Sequence, residues 1–369
     1  MEQKTKRNSG LESLRIIGII CIILSHYSIH GGYKEFTVEM LSGEVFFLQV
    51  LSMFGRASCS IFAIISGYFM IQSSTNGYKK CVCLALQMIF YSWVILAIVL
   101  ITGITPVSLK SFAKAIFPII WGNWYAVYYI ILLIFFPFIN IFLKSLDKKT
   151  YIKLLTLVFF IWSVVQTITV RAITFSNFDF FVVMYMVGAY IRLYCEDMNY
   201  PNVVNLYAVI VFASLLIVSV LLMDLVGVIT GIDKFIDSSG YFREFFTPIG
   251  VGFSISMFLY FKNKIFYSKL VNKISLSTLG IYLIHDNELA RKVIWQVIFP
   301  NEKFLNTPLI AVHAAVKCLV VFIVCLIIDQ IRLHTIHKVT KKLIDKKYPD
   351  WVNKLQTLEK KFLCMSIKN

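Results

Sequence analysis

The stretch LESLRIIGIICIILSHYSIHGG, residues 11–32, has the length and the isoleucine and leucine content of a membrane-crossing helix, yet it carries Glu12, Arg15, His26 and His30. A hydrocarbon core about 30 Å thick needs roughly 20 apolar residues in helical form, and this stretch supplies them. Comparable runs recur along the chain. They read as ten crossings, at residues 13–30, 46–72, 82–102, 124–143, 151–170, 178–194, 203–223, 243–261, 276–299 and 307–331. Backbone groups in lipid must be satisfied within their own segment, so runs this long and this apolar mean helices and not barrel strands. The expected fold is all-α: a polytopic membrane helical bundle of about ten transmembrane helices over residues 1–332, with a basic tail over 333–369. No small-residue cleavage pattern follows the first run, which is therefore expected to stay in the protein.

Composition agrees. Of 369 residues, 58% are hydrophobic and 15% charged, with a mean hydropathy of +0.76; soluble domains hold about 45–50% apolar residues. The formal charge of +16 could suggest nucleic acid, but the basic residues fall mainly in alternate loops (Lys79 and Lys80; Lys144, Lys148 and Lys149; Arg192; Lys262, Lys264 and Lys269). That pattern is positive-inside topology. It predicts cytoplasmic N- and C-termini and a lipid bilayer, not nucleic acid, as the partner of the charge. The tail, with Tyr348, Trp351 and Phe362 among its lysines, reads as a surface helix on anionic headgroups. The eight cysteines are scattered; Cys81 and Cys83 lack the second close pair that a metal site would need, so neither disulfides nor a metal are expected.

The polar residues of the first run are ordered. At 100° per residue, Arg15 and His26 differ by about 20° around the helix and about 16 Å along it. Ile22 lies on the same stripe between them, Glu12 is one turn before Arg15, and His30 one turn beyond His26. Glu12 and Arg15 could be a snorkelling interfacial pair, and His30, beside Gly31 and Gly32, could sit in headgroups. His26 lies deeper, where an ionisable group marks a pathway or a reaction. An imidazole is the usual base for activating a hydroxyl, and an arginine offers a fixed fork of donors for phosphate. An apolar slot between them suits a long acyl carrier with an anionic head and a reactive far end, the shape of a coenzyme A thioester.

Further along, Ser275, Thr278, Tyr282 and His285 form one helical stripe. Such a stripe is either interhelical hydrogen-bond glue or a pocket wall, and Asp286, Glu288 and Arg291 follow it. Arg56 is expected near the outer end of the second helix, either snorkelling to headgroups or facing a polar pocket. Acceptor specificity is expected in outer loops such as residues 224–242.

Four stretches carry a family resemblance. The Arg15-to-His26 spacing, IFAIISGYFM (61–70), ISLSTLGIYLIH (274–285) and WGNWYAVYYI (121–130) together resemble the integral-membrane acyltransferase 3 family, which O-acylates extracytoplasmic sugars. Glu12 stands where the family usually has aspartate, and Lys79 and Lys80 stand where many members have arginines. The resemblance implies His26 as the catalytic residue, with Glu12 in the catalytic set beside Arg15. It implies that Arg15, Ser66, Gly67 and Tyr68 bind the acyl-CoA; Arg56, His30, Tyr282, His285 and Trp124 are expected in the substrate pocket. The co-substrate would be acetyl-CoA and the acceptor a hydroxyl of a capsular, cell-wall or lipid-linked polysaccharide, at a bacterial plasma membrane. The alternative from another class is a secondary transporter or lipid-sugar flippase, which ten helices with buried His and Arg would also fit; such folds often show two related halves, and no internal repeat stands out here.

Overall fold

The computed structural model describes residues 8–73, 77–170, 177–196, 201–338, 340, 342 and 344–346. Among them all regular structure is helical. Eight of the ten apolar runs fall in spans long and apolar enough to cross a membrane, seven of them continuous helices and the eighth, Asp233–Lys262, two short helical turns leading into a 15-residue helix. The chain is a multi-pass membrane bundle. The principal helices are α1 Ser9–Ile29, α2 Gly43–Met70, α3 Gly77–Thr102, α4 Trp124–Ser145, α5 Lys148–Phe159, α6 Asn177–Tyr194, α7 Asn202–Thr230, α8 Pro248–Lys262, α9 Thr278–His285, α10 Glu288–Lys292 and α11 Ile310–His334. A π-helical turn, Phe160–Val165, carries α5 on to Ile168. Of the basic tail, residues 347–369 lie outside the described residues, and so do Lys4, Lys6 and Arg7 at the other end.

Two of the ten expected crossings differ from the other eight. The run at 178–194 forms α6, an 18-residue helix with Asp179 in its first turn and Arg192 in its last, outside the set of strongly apolar spans and largely enclosed by the bundle. The run at 276–299 is broken. α9 ends at His285, and the Asn287 side chain accepts from the Leu289 amide (3.0 Å) to start α10. Asparagine and aspartate side chains compete with helix continuation and favour such caps, so the Asp286–Asn287 step divides what hydropathy reads as one helix. The loop beyond is held from α11 by the buried Lys317 ammonium, which donates to the Ile298 and Phe299 carbonyls and to Asn301 Oδ1 at 2.9, 2.7 and 2.6 Å.

The interior is built on α2. Its start is capped by Ser42, whose hydroxyl accepts from the Val45 amide at 3.3 Å, a standard way of satisfying a free first-turn donor. α1 lies along one side of α2, antiparallel to it, and α6 along another, running in the same direction: Cys59 and Phe181 both meet Tyr125, and Tyr68 and Gln72 meet Arg192. At the α2–α6 crossing a Cβ on Gly67 would collide with the Tyr185 carbonyl oxygen, and one on Gly188 with that of Ile64. Small residues allow such backbone approach where lipid gives helices no hydrophobic drive to associate. Tyr185 completes the joint: its hydroxyl donates to Asn140 Oδ1 (2.7 Å) while Asn140 Nδ2 donates to the Met70 carbonyl (2.9 Å).

α1 is capped by Asn8, whose side chain accepts from the Gly10 amide at 3.0 Å, with Glu12 favourably placed in the first turn. The helix ends at Ile29. Gly32, at φ +83°, turns the chain away with a left-handed conformation that a side chain would disfavour. Arg56 is 13 residues into α2, near mid-helix, and not near the end as expected, because the helix begins earlier than its apolar run.

Candidate active site

His26 and His285 meet in the bundle interior. His26 Nδ1 is 3.1 Å from His285 Nε2, and His285 Nδ1 is 2.6 Å from the Ile281 carbonyl oxygen. A carbonyl only accepts, so His285 Nδ1 carries a proton and, in the neutral ring, Nε2 is a lone-pair acceptor. His26 Nδ1–H then donates to it. His26 is left with an unprotonated Nε2, the form a general base requires. His285 thus orients and fixes the tautomer of His26.

Asp286 completes the cluster. Its Oδ1 lies 3.7 Å from His26 Nδ1, 3.8 Å from His30 Nε2 and 3.4 Å from Arg291 Nη1. The His26 and His30 rings are 4.8 Å apart. The donor atoms of His26, His30 and Asp286 lie within 4.8 Å of one another and could surround a cation. The Arg291 guanidinium already stands among them, 3.5 Å from His30 Nε2, and supplies positive charge to that spot.

On the side of α9 that faces Arg15, a cavity of about 230 Å³ runs along the face of α1. Arg15, Ile19 and Ile22 form one wall, and Ser66, Tyr125 and Tyr282 face them. Arg15 is partly exposed, its guanidinium 3.4 Å from the buried Glu12 carboxylate and over the Phe69 ring. Ser275 and Thr278 line the same cavity. The stripe from Ser275 through Tyr282 is therefore a wall, and His285 carries it on to His26. The cavity thus has a cation at one end, apolar walls, and aromatic hydroxyls next to the histidine pair at the other.

The remaining expected site residues are distributed as follows. Glu12 is 14 positions from His26, about 21 Å along the helix, so it acts on Arg15 and not on the imidazole. Gly67 is spent on the α6 crossing. Tyr68 turns away from the cavity: its hydroxyl donates to Glu196 (2.9 Å) and accepts from Arg192 Nη1 (3.0 Å). Arg56 lies beside the stacked pair Trp124 and Phe245, 5.9 and 5.2 Å from their centres, and 3.9 Å from Glu244. Trp124 lines a second, polar cavity on the other side of α9. No residue of 224–242 lines either cavity. Sequence reasoning passed over Asp286 and Arg291 as site residues and missed Tyr125. The first two were detectable as ionisable residues inside an apolar run; Tyr125 is one tyrosine among 19 and had no distinguishing mark.

The sequence model of the acyltransferase domain, acyltransferase 3, matches residues 8–329. The chain belongs to the acyltransferase 3 family. The match runs from the cap of α1 to near the end of α11, so it covers both cavities and the histidine pair. No curated protein and no solved structure matches the chain. As a family member it is a membrane acyltransferase, and both a donor and an acceptor must reach one reacting centre within this bundle.

Proposed function

We propose that the chain transfers an acetyl group from acetyl-CoA to a hydroxyl of a surface or lipid-linked polysaccharide, with His26 as general base. The observation that carries this reading is the shared line of α1: Arg15 at the mouth of an apolar cavity and His26, with a free Nε2, beyond its inner end. Arg15, steadied by Glu12, holds the anionic carrier, and the apolar walls exclude water from the thioester. The acceptor oxygen attacks the thioester carbonyl while His26 Nε2 takes its proton. Collapse of the tetrahedral adduct breaks the carbon–sulfur bond, and the imidazolium returns the proton to the departing thiolate. The same residues serve a direct transfer or one through an acyl intermediate. The loop lysines support a donor drawn from the cytoplasmic side.

His26→Ala is expected to abolish acetyl transfer while the protein is still made and inserted, as read by ester formation in membranes supplied with labelled acetyl-CoA. Transfer retained in that variant overturns the assignment. In proteoliposomes, consumption of acetyl-CoA with formation of a new ester separates this activity from a transporter, which would move an intact sugar without acetyl-CoA.

A further inference from the structure

The second cavity has a different chemistry from the first. It encloses about 210 Å³ between the segment 109–124 and the α9–α10 break. Trp121, half-exposed at 52%, and Trp124 give it indole surface. Between them, Asn123 Nδ2 is buried and has no hydrogen-bond partner among the described residues. A buried amide donor of this kind is normally satisfied, and this one belongs to a residue of the cavity wall.

The charges in the cavity cancel. Lys114 Nζ is 2.7 Å from Glu288 Oε2, and the other Glu288 oxygen accepts from Ser111 at 3.0 Å. Arg291 pairs with Asp286 at 3.4 Å. Two cations and two carboxylates leave no spare charge for an anionic ligand, whereas their outer lone pairs and N–H groups remain able to bond hydroxyls. The volume falls below the roughly 300–1,000 Å³ of drug-sized ligand pockets, which limits the occupant to about one ring. Asp286 belongs to the wall of this cavity and also lies 3.7 Å from His26 Nδ1, so a ring held here would lie beside the histidine pair.

We propose that this cavity, built by Trp121, Asn123, Trp124 and the Lys114–Glu288 pair, binds one uncharged sugar ring of the acceptor and discriminates against acidic sugars. The inference rests on the acyl-transfer reading for its meaning, but the binding it predicts needs no acyl donor.

The test uses full-length protein in nanodiscs prepared without glycosidic detergent and without acetyl-CoA. Tryptophan fluorescence and calorimetry follow titration with methyl glucoside, methyl galactoside, methyl N-acetylglucosaminide and methyl glucuronide. At least one neutral glycoside is expected to bind saturably, with the glucuronide weaker by about tenfold or more. Asn123→Ala is expected to weaken the neutral ligand by about tenfold and to leave the affinity for acetyl-CoA unchanged. Glu288→Gln, which frees Lys114, is expected to narrow or reverse the preference against the glucuronide. Absence of binding by all three neutral glycosides overturns the proposal, as does glucuronide binding at least as tight in the unaltered protein, or unchanged affinity in both variants. Glycoside binding with no acetyl transfer would leave this site standing and remove the proposed activity instead.

Discussion

α2 and α7 are almost the same length, 28 and 29 residues, and have opposite relations to their surroundings. In the most apolar stretch of α2, 72% of residues are buried inside the protein; in that of α7, 22%. The more apolar helix is the more exposed one. In water this order would be inverted. In lipid the outside is as apolar as leucine, so the inside is where serines, glutamine and close backbones are placed. Gln49, Ser52, Ser58 and Ser60 are all buried on α2, whereas Leu221, Leu222 and Leu225 of α7 are exposed. Lowered hydropathy within a crossing therefore marks a helix of the bundle interior.

The comparison breaks if interior and rim respond alike to substitution. The largest effect is expected for Gly67→Leu, which drives a side chain into the Tyr185 backbone; overpacking against backbone should cost roughly 3 kcal/mol or more, seen as loss of monodisperse protein on size exclusion. Next is Arg15→Gln, which removes the cation of the cavity proposed to hold the donor. A hydrogen bond to a charged group contributes about 1.5–3 kcal/mol, so KM for acetyl-CoA should rise about 10- to 150-fold with the folded fraction unchanged. Asn140→Leu deletes the bonds to Tyr185 and Met70 and should lower stability by about 1 kcal/mol, near the values measured for interhelical bonds in membranes, read as a reduced melting temperature. Leu222→Ala, on the lipid face of α7, should stay within about 0.5 kcal/mol. A large loss there would mean that α7 faces protein in an assembly and not lipid.

Hydropathy alone located most of the helices, because a run such as 203–223 has no other stable way to sit in a bilayer. It failed at 276–299, where an average over twenty residues hides the Asp286–Asn287 step, and that step is where the site is assembled. The Arg15-to-His26 line was legible because both residues share one helix, where spacing converts directly into angle and rise. The pairing of His26 with His285 joins positions 259 apart; one sequence contains no measure of that distance. Glu12 was singled out because its charge stands in the same helix as His26; the carboxylate nearer the imidazole, Asp286, lies 260 positions further along the chain.

The touching backbones of α2 and α6 carry a mechanical consequence. With no side chain between them at Gly67 and Gly188, the two helices have no layer that could repack, so they cannot slide or rock past each other as packed surfaces with two alternative arrangements can. They form the stator of the molecule. Any movement that admits an acceptor would have to fall outside this joint, and the segment 109–122 is itself tied to the bundle, Ser92 and Trp93 of α3 donating to the Ala115 and Ile116 carbonyls at 2.9 and 3.2 Å.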